Sequence, residues 1–207
     1  MTHPQETSRS GARRRRDPAG TRDRLVRAAL ELFTTQGYHT STTPQIAKRA
    51  GVAEGTIYRH FDGKEHLLNE IYRAAVRLLV SAVRDAPVSV SCRERLERIA
   101  TTWRDLAGSD PALIKLVFMT RLGDLLDPRS REGFAGLREE ISKVIATGKS
   151  AGEVRSGSAE VWTDVWLALV KLALERIANQ DWTAQHIGPQ QVFDAAWDAI
   201  KAQQGIT

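Results

Sequence analysis

The sequence predicts an all-α protein in which a small head of three helices precedes a larger helical body. Two observations carry this reading. Beyond residue 20 the apolar residues recur three and four positions apart, and no alternating run of useful length suggests a strand. Each periodic segment is also bounded by Gly, Pro, Asp or Ser, the residue types that stop helices and begin turns.

Residues 1–20 are polar, contain Pro4, Gly11, Pro18 and Gly20, and lack periodic apolar positions, which predicts a flexible arm. From Thr21 onward Leu25, Ala28, Ala29, Leu32 and Phe33 line one face of a first helix that Gly37 ends. A short second helix fits Pro44 to Ala50: Thr42 or Thr43 caps it, Pro44 suits its first turn, and Gly51 permits a sharp exit. A third helix from Glu54 to Phe61 turns Ile57 and Phe61 inward and Thr56, Arg59 and His60 outward. Asp62 and Gly63 break it. A long fourth helix starts near Lys64, with Leu67, Leu68, Ile71, Ala75, Leu78, Leu79, Ala82 and Val83 on one stripe, and Pro87 ends it. The body then reads as helices over Arg93–Ala107, Pro111–Leu126, Ser130–Ser150, Ser158–Asn179 and Pro189–Gln203. The chain thus divides into an arm (1–20), a head (21–74) and a body (75–207).

A chain of 207 residues buries enough apolar surface to fold without disulfides, and its single cysteine, Cys92, cannot pair within the chain. Cys92 reads as a small buried filler, and such usage suits a reducing cytoplasm. No membrane span is expected, because the most apolar stretch, Val161 to Ala178, is broken by Asp164, Lys171, Glu175 and Arg176. No secretory leader is read either, since Arg13 to Arg16 run into Asp17, Pro18 and Gly20, and a cytoplasmic location is expected. Net charge is +5 and unevenly spread: residues 1–80 hold 14 Lys/Arg against 8 Asp/Glu, and residues 81–207 hold 16 against 17. A basic head on a near-neutral body suits phosphate binding; a solvated surface with a basic tail fits the charge equally well.

Enzyme signatures are missing. Gly148-Lys149-Ser150 looks like the end of a phosphate loop, but Lys143 stands where the leading glycine belongs and the context is helical. There is no Gly-x-Ser-x-Gly, Gly-x-Gly-x-x-Gly or His-Glu-x-x-His, and His3, His39, His60, His66 and His186 are scattered. No catalytic residue, metal site or cofactor is therefore expected.

The informative segment runs from Thr42 to Lys64: two short helices at a tight turn around Gly51, the second with a polar and aromatic outer face. That is the layout of a helix-turn-helix, whose second helix enters the major groove of duplex DNA. The run TTPQIAKRAGVAEGTIYRHFDGKEHLL closely resembles the signature of TetR-type bacterial regulators, over roughly Thr21 to Tyr72. Its threonine pair, Ile-Ala pair, Ala-Gly-Val turn, Gly-Thr-Ile-Tyr run, His-Phe pair and following Lys stand in the family's order. Thr43, at the start of helix two, is placed to give its hydroxyl and N–H to a phosphate, or simply to cap the helix. Gly55 lets the backbone approach DNA. Thr56 is the best candidate for base contact, and Arg59 for guanine, with a phosphate as its alternative. The resemblance implies phosphate or groove-wall contacts for Tyr58 and His60 and a phosphate clamp at Lys64. Arg13 to Arg16 either follow the DNA or merely solubilise the arm.

The resemblance further implies a body that binds a small hydrophobic molecule and pairs with a second copy, and repression as the outcome. The helix Ser158–Asn179 is apolar nearly all round, with Trp162, Val165, Trp166, Leu169 and Ala173 on one side and Val161, Ala168, Leu172 and Leu174 on others. With Phe193, Ala196, Trp197 and Ile200 of the last helix it suggests a four-helix homodimer interface. Trp103, Phe118, Met119, Phe134, Trp162 and Trp166 are candidates for lining a ligand pocket, or for plain core.

Overall fold

A computed structural model describes residues 18–203, so the Arg13 to Arg16 run lies outside the described residues. Among the described residues the fold is helical: α1 (Pro18–Thr35), α2 (Thr43–Arg49), a six-residue 3-10 turn (Glu54–Arg59), α3 (Lys64–Asp85), α4 (Cys92–Ser109), α5 (Pro111–Ile114), α6 (Pro128–Ser150), α7 (Ala159–Ala178) and α8 (Ile187–Ile200). Strand pairing among them is limited to one antiparallel bridge between Val154 and Lys201.

The helix stops follow their local chemistry. Gly37 and Gly51 both take positive φ, 91° and 68°, where a side chain would crowd the backbone. Ser91, Asp110 and Asp127 cap α4, α5 and α6 through side-chain oxygens that accept from Glu94 N, Leu113 N and Ser130 N. The last helix ends three residues earlier than the sequence suggests. Lys201 turns into extended backbone and pairs with the 153–155 loop, where Arg155 N donates to Ile200 O and Ala202 N to Glu153 O.

The expected helix over Pro111–Leu126 is the larger correction. It is a single turn, α5, that widens into a π-helical turn over Lys115–Met119 and then breaks. Thr120 closes the wide turn twice, its amide and its hydroxyl both donating to Lys115 O at 2.9 and 3.0 Å, and then adopts extended backbone. Gly123 at φ 40° opens a single 3-10 turn, Gly123–Leu125, before Asp127 caps α6.

One continuous core runs through head and body, from Leu25 and Phe33 in α1, through Leu67, Ile71 and Leu79 in α3, to Trp166 and Ala196 in α7 and α8. The head–body boundary expected near residue 74 falls inside α3, which is unbroken for 22 residues and buries Tyr72, Arg73, Ala75 and Val76 on either side of it. Arg73 is the exceptional member. Its guanidinium reaches Glu70 and Asp127 at 2.6 Å each and Ser130 Oγ at 3.1 Å, so its buried charge is matched on both sides. Asn69 adds Leu125 O and Asp127 N, fixing the loop after the π turn to α3. No described helix is long and apolar enough to cross a membrane.

Candidate nucleic-acid interface

The two ends of α2 set the geometry of the exposed face. Thr42 is the cap: its hydroxyl accepts from Gln45 N, and Gln45 Oε1 accepts from Thr42 N at 2.9 Å, a reciprocal capping box. With that role filled, Thr43 needs its hydroxyl for nothing inside the helix, and it lies 3.1 Å from the Tyr58 hydroxyl. At the other end Ile46 and Ala47 are buried, and Arg49 grips Glu31 of α1 through Nε and Nη2 at 3.0 and 2.6 Å.

The element after the Gly51 turn is a 3-10 turn rather than the expected α-helix. With three residues per turn, side chains three apart eclipse one another and the turn has three edges. Ile57 is fully buried on one edge, next to Phe61, which its carbonyl holds by accepting the Phe61 amide at 2.9 Å. The other two edges carry Gly55 with Tyr58 and Thr56 with Arg59. Gly55 and Arg59 are exposed, Tyr58 is 57% exposed, and Thr56 and His60 are half-buried. Four of the predicted contact residues, Gly55, Thr56, Tyr58 and Arg59, therefore lie on the two outer edges of this short turn, with His60 half-buried just past its end and Thr43 joined to it through Tyr58.

Gly55 lacks any internal justification. Its φ is ordinary, and a Cβ built there would meet nothing within 4 Å. Lys64 departs from expectation in the opposite sense: its ammonium faces inward, donating to Tyr38 O and Ser41 O at 2.8 Å each and standing 4.1 Å from the centroid of the Tyr38 ring. Burial holds its pKa below the usual lysine value. Sequence reasoning passed over Lys48. It is exposed in the last turn of α2, and among the described residues neither it nor Arg59 has an ion-pair partner. The signal was available as a basic residue one position before Arg49, although a cation there also suits the helix dipole.

Residues 25–71, the span that builds this surface, match the family model for bacterial regulatory proteins, tetR family. The head of this chain carries the TetR-family sequence pattern. It is 26% identical over 136 residues to the fatty acid metabolism regulator protein of Bacillus subtilis, covering 64% of this chain and 70% of that one. It is 34% identical over 116 residues to the HTH-type transcriptional activator FasR of Mycolicibacterium smegmatis, covering 56% and 52%, so the likeness spans about half of that relative. The fold extends further than the sequence match: the MbdR regulator from Azoarcus sp. CIB superposes with a TM-score of 0.75 at 19% identity, over 86% of this chain and 97% of that chain. The matched span is thus a helix-turn-helix DNA-binding head of the kind that TetR-type transcriptional regulators carry.

The body residues considered for a TetR ligand pocket do not all meet. Trp103 contacts Phe118 and Trp166 at ring separations of 6.1 and 5.9 Å, and Phe118 contacts Phe134 at 6.2 Å, with Met119 half-buried on the same π turn. Trp103 and Trp166 are at most 2% exposed, and the Trp103 indole donates to Leu79 O, so these two are filled core. Trp162 stands apart, packed on Gly157 with its indole donating to Ser156 O. The groove of about 700 Å³ between α3 and α6 is lined by Val76, Val80, Gly133, Gly136 and several charged side chains, and by none of the six.

On α7 the structure regroups two residues. Leu174, read on a different side from Trp166 and Ala173, is fully buried with them, and Val165, read on their side, lies on the outer one. Val161, Ala168 and Leu172 are exposed, with Val165 half-buried among them, and together they form a single outward stripe. Val192, Ala195 and Ala199 make a second outward stripe on α8, whereas Phe193, Ala196 and Ile200, read from the sequence as part of the pairing surface, are buried in the chain's own core. Among the described residues no group of three or more His, Cys, Asp or Glu is placed to hold a metal ion.

Proposed function

We propose that this chain is a ligand-responsive repressor that binds a palindromic operator as a homodimer, in the cytoplasm, and acts by regulation rather than catalysis. The observation that carries the DNA-reading half is the rigid turn whose two exposed edges present Gly55 with Tyr58 and Thr56 with Arg59. A major groove about 12 Å wide admits one such element, so Thr56 and Arg59 read base edges while Thr43, Tyr58 and His60 contact phosphates and groove wall. Lys48, exposed and without an ion-pair partner among the described residues, adds a phosphate contact. Gly55 is then explained by the DNA itself, which occupies the space where a Cβ would stand.

The stripes on α7 and α8 support pairing, since an apolar strip on two adjacent helices is covered most simply by its own copy across a two-fold axis. Of the six aromatic and sulfur-bearing candidates, Phe118, Met119 and Phe134, half-buried around the π turn, are the ones left for sensing an apolar ligand, through a shift in how the two heads are spaced. The test is selection of duplexes from a random-sequence library by the purified protein. Enrichment of an inverted repeat supports the reading, and a protein that enriches no sequence overturns it.

A further inference from the structure

We propose that Lys64 is a positioning residue, which holds the loop between α1 and α2 in the shape that sets Thr43 against Tyr58, and that it does not neutralise a phosphate. The inference rests on the DNA-binding reading above, but its geometry is internal to the protein.

Lysine at the first position of α3 is electrostatically misplaced, because the positive end of a helix dipole disfavours a cation there. Its reason must lie outside its own helix. The ammonium has three protons to donate. Two go to the carbonyls of Tyr38 and Ser41, 26 and 23 residues earlier in the chain, each at 2.8 Å. The Tyr38 ring, 4.1 Å away, adds a cation–π contact to the same charge. A phosphate approaching Lys64 would have to compete with all three.

What the clasp holds matters for the interface. Ser41 is fully buried, donates its hydroxyl to Gly37 O at 2.7 Å, and immediately precedes Thr42, the cap of α2. Next comes Thr43, whose hydroxyl reaches Tyr58. Fixing the Ser41 carbonyl therefore fixes where α2 begins, and with it the spacing between the phosphate-facing hydroxyls and the reading turn. Tyr38 is tied into the core by its 5.4 Å ring contact with Phe33 of α1, so the clasp spans α1, the loop and α3. The role is that of an internal strut on which the outer surface depends.

Two measurements on K64M, which keeps the aliphatic stem and loses the charge, decide the matter. The first uses the DNA-free protein. Amide hydrogen exchange at residues 38–43 should speed up on the order of tenfold, as for a loop that has lost buried charged hydrogen bonds, while α6 to α8 exchange as before. The second uses a duplex selected by the wild-type protein from a random library, titrated across a range of salt. Affinity should fall on the order of tenfold with the slope of log K against log salt unchanged, whereas loss of one phosphate contact would flatten that slope by about 0.9. A flattened slope with unchanged exchange at 38–43 overturns the proposal and restores Lys64 as a phosphate contact. If the wild-type protein selects no duplex, the DNA-binding reading fails on its own, and the exchange measurement alone decides the clasp: faster exchange at 38–43 supports it and unchanged exchange overturns it.

Discussion

Gly55 and Gly148 show how differently the same residue type is required. Gly148 is buried in α6, and a Cβ there would stand 2.5 Å from both Cβ and Sγ of Cys92, so α4 and α6 approach each other only because it has no side chain. Burial pushes the Cys92 thiol up to about 12, which makes it a packing group and not a nucleophile. The pair of variants G148A and G55A should therefore separate stability from binding. G148A should lower stability by about 1–3 kcal/mol through overpacking in denaturant titration, while G55A should unfold like wild type. In DNA titration the order reverses, with G55A losing affinity because its methyl meets DNA and not protein. Equal affinity of G55A and wild type for the selected duplex would remove Gly55 from the interface. Arg59→Ala belongs to the same scale. It should cost about 1–3 kcal/mol of discrimination between the selected duplex and one with its guanine replaced, since Arg59 has no ion-pair partner among the described residues to keep it occupied.

At the scale of elements, α3 joins head and body by a chain of polar contacts as well as by core packing. Arg22 of α1 reaches Glu70 at 3.0 Å, Glu70 reaches Arg73, and Arg73 reaches Asp127 at the start of α6. The hydrogen bond from Arg73 holds the Glu70 carboxyl below its ordinary value of 4.5. A carboxyl depressed by folding stabilises the native state above that ordinary value and ceases to do so as the pH falls through its lower folded value. Stability should therefore decline on acidification below about pH 4.5, and part of that decline should vanish in Glu70→Gln. An identical acid limb in both proteins would show that Glu70 contributes nothing to it. The length and apolar stripe of α3 made it legible in the sequence, because Leu67 through Val83 keep helical spacing without a break. The 3-10 turn was not legible, since Glu54–Arg59 offers only Ile57 as an inward anchor and either helical period satisfies one anchor. The π turn was hidden for a different reason: the hydroxyl and amide of Thr120 both close on Lys115, a choice that local propensity does not express. The inward turn of Lys64 depends on carbonyls more than twenty residues away, beyond any reading by local spacing.

For the whole molecule, reading a two-fold operator demands two heads held at a fixed distance, one helical turn of DNA or a multiple apart. In the proposed homodimer that distance is set by the body, and the outward stripe of Val161, Val165, Ala168 and Leu172 on α7 is the surface proposed for it. Leu172 is 42% exposed and Val161 is 53% exposed, whereas Leu174, two residues from Leu172, is fully buried; the exposure belongs to one face and not to a loose helix. Leu172→Arg leaves that core face untouched. In a dimer it would place a charge in the buried seam, at a cost of about 3–5 kcal/mol if it finds no partner. Sedimentation should show the wild type as a dimer at micromolar concentration and the variant as a folded monomer. The monomer should keep its affinity for a single half-site while losing the gain that a palindrome confers, because the second head is no longer delivered at high effective concentration. A variant that stays dimeric would place the pairing surface elsewhere. One that loses half-site and palindrome binding alike would mean that the body shapes the head through α3 and does more than space it.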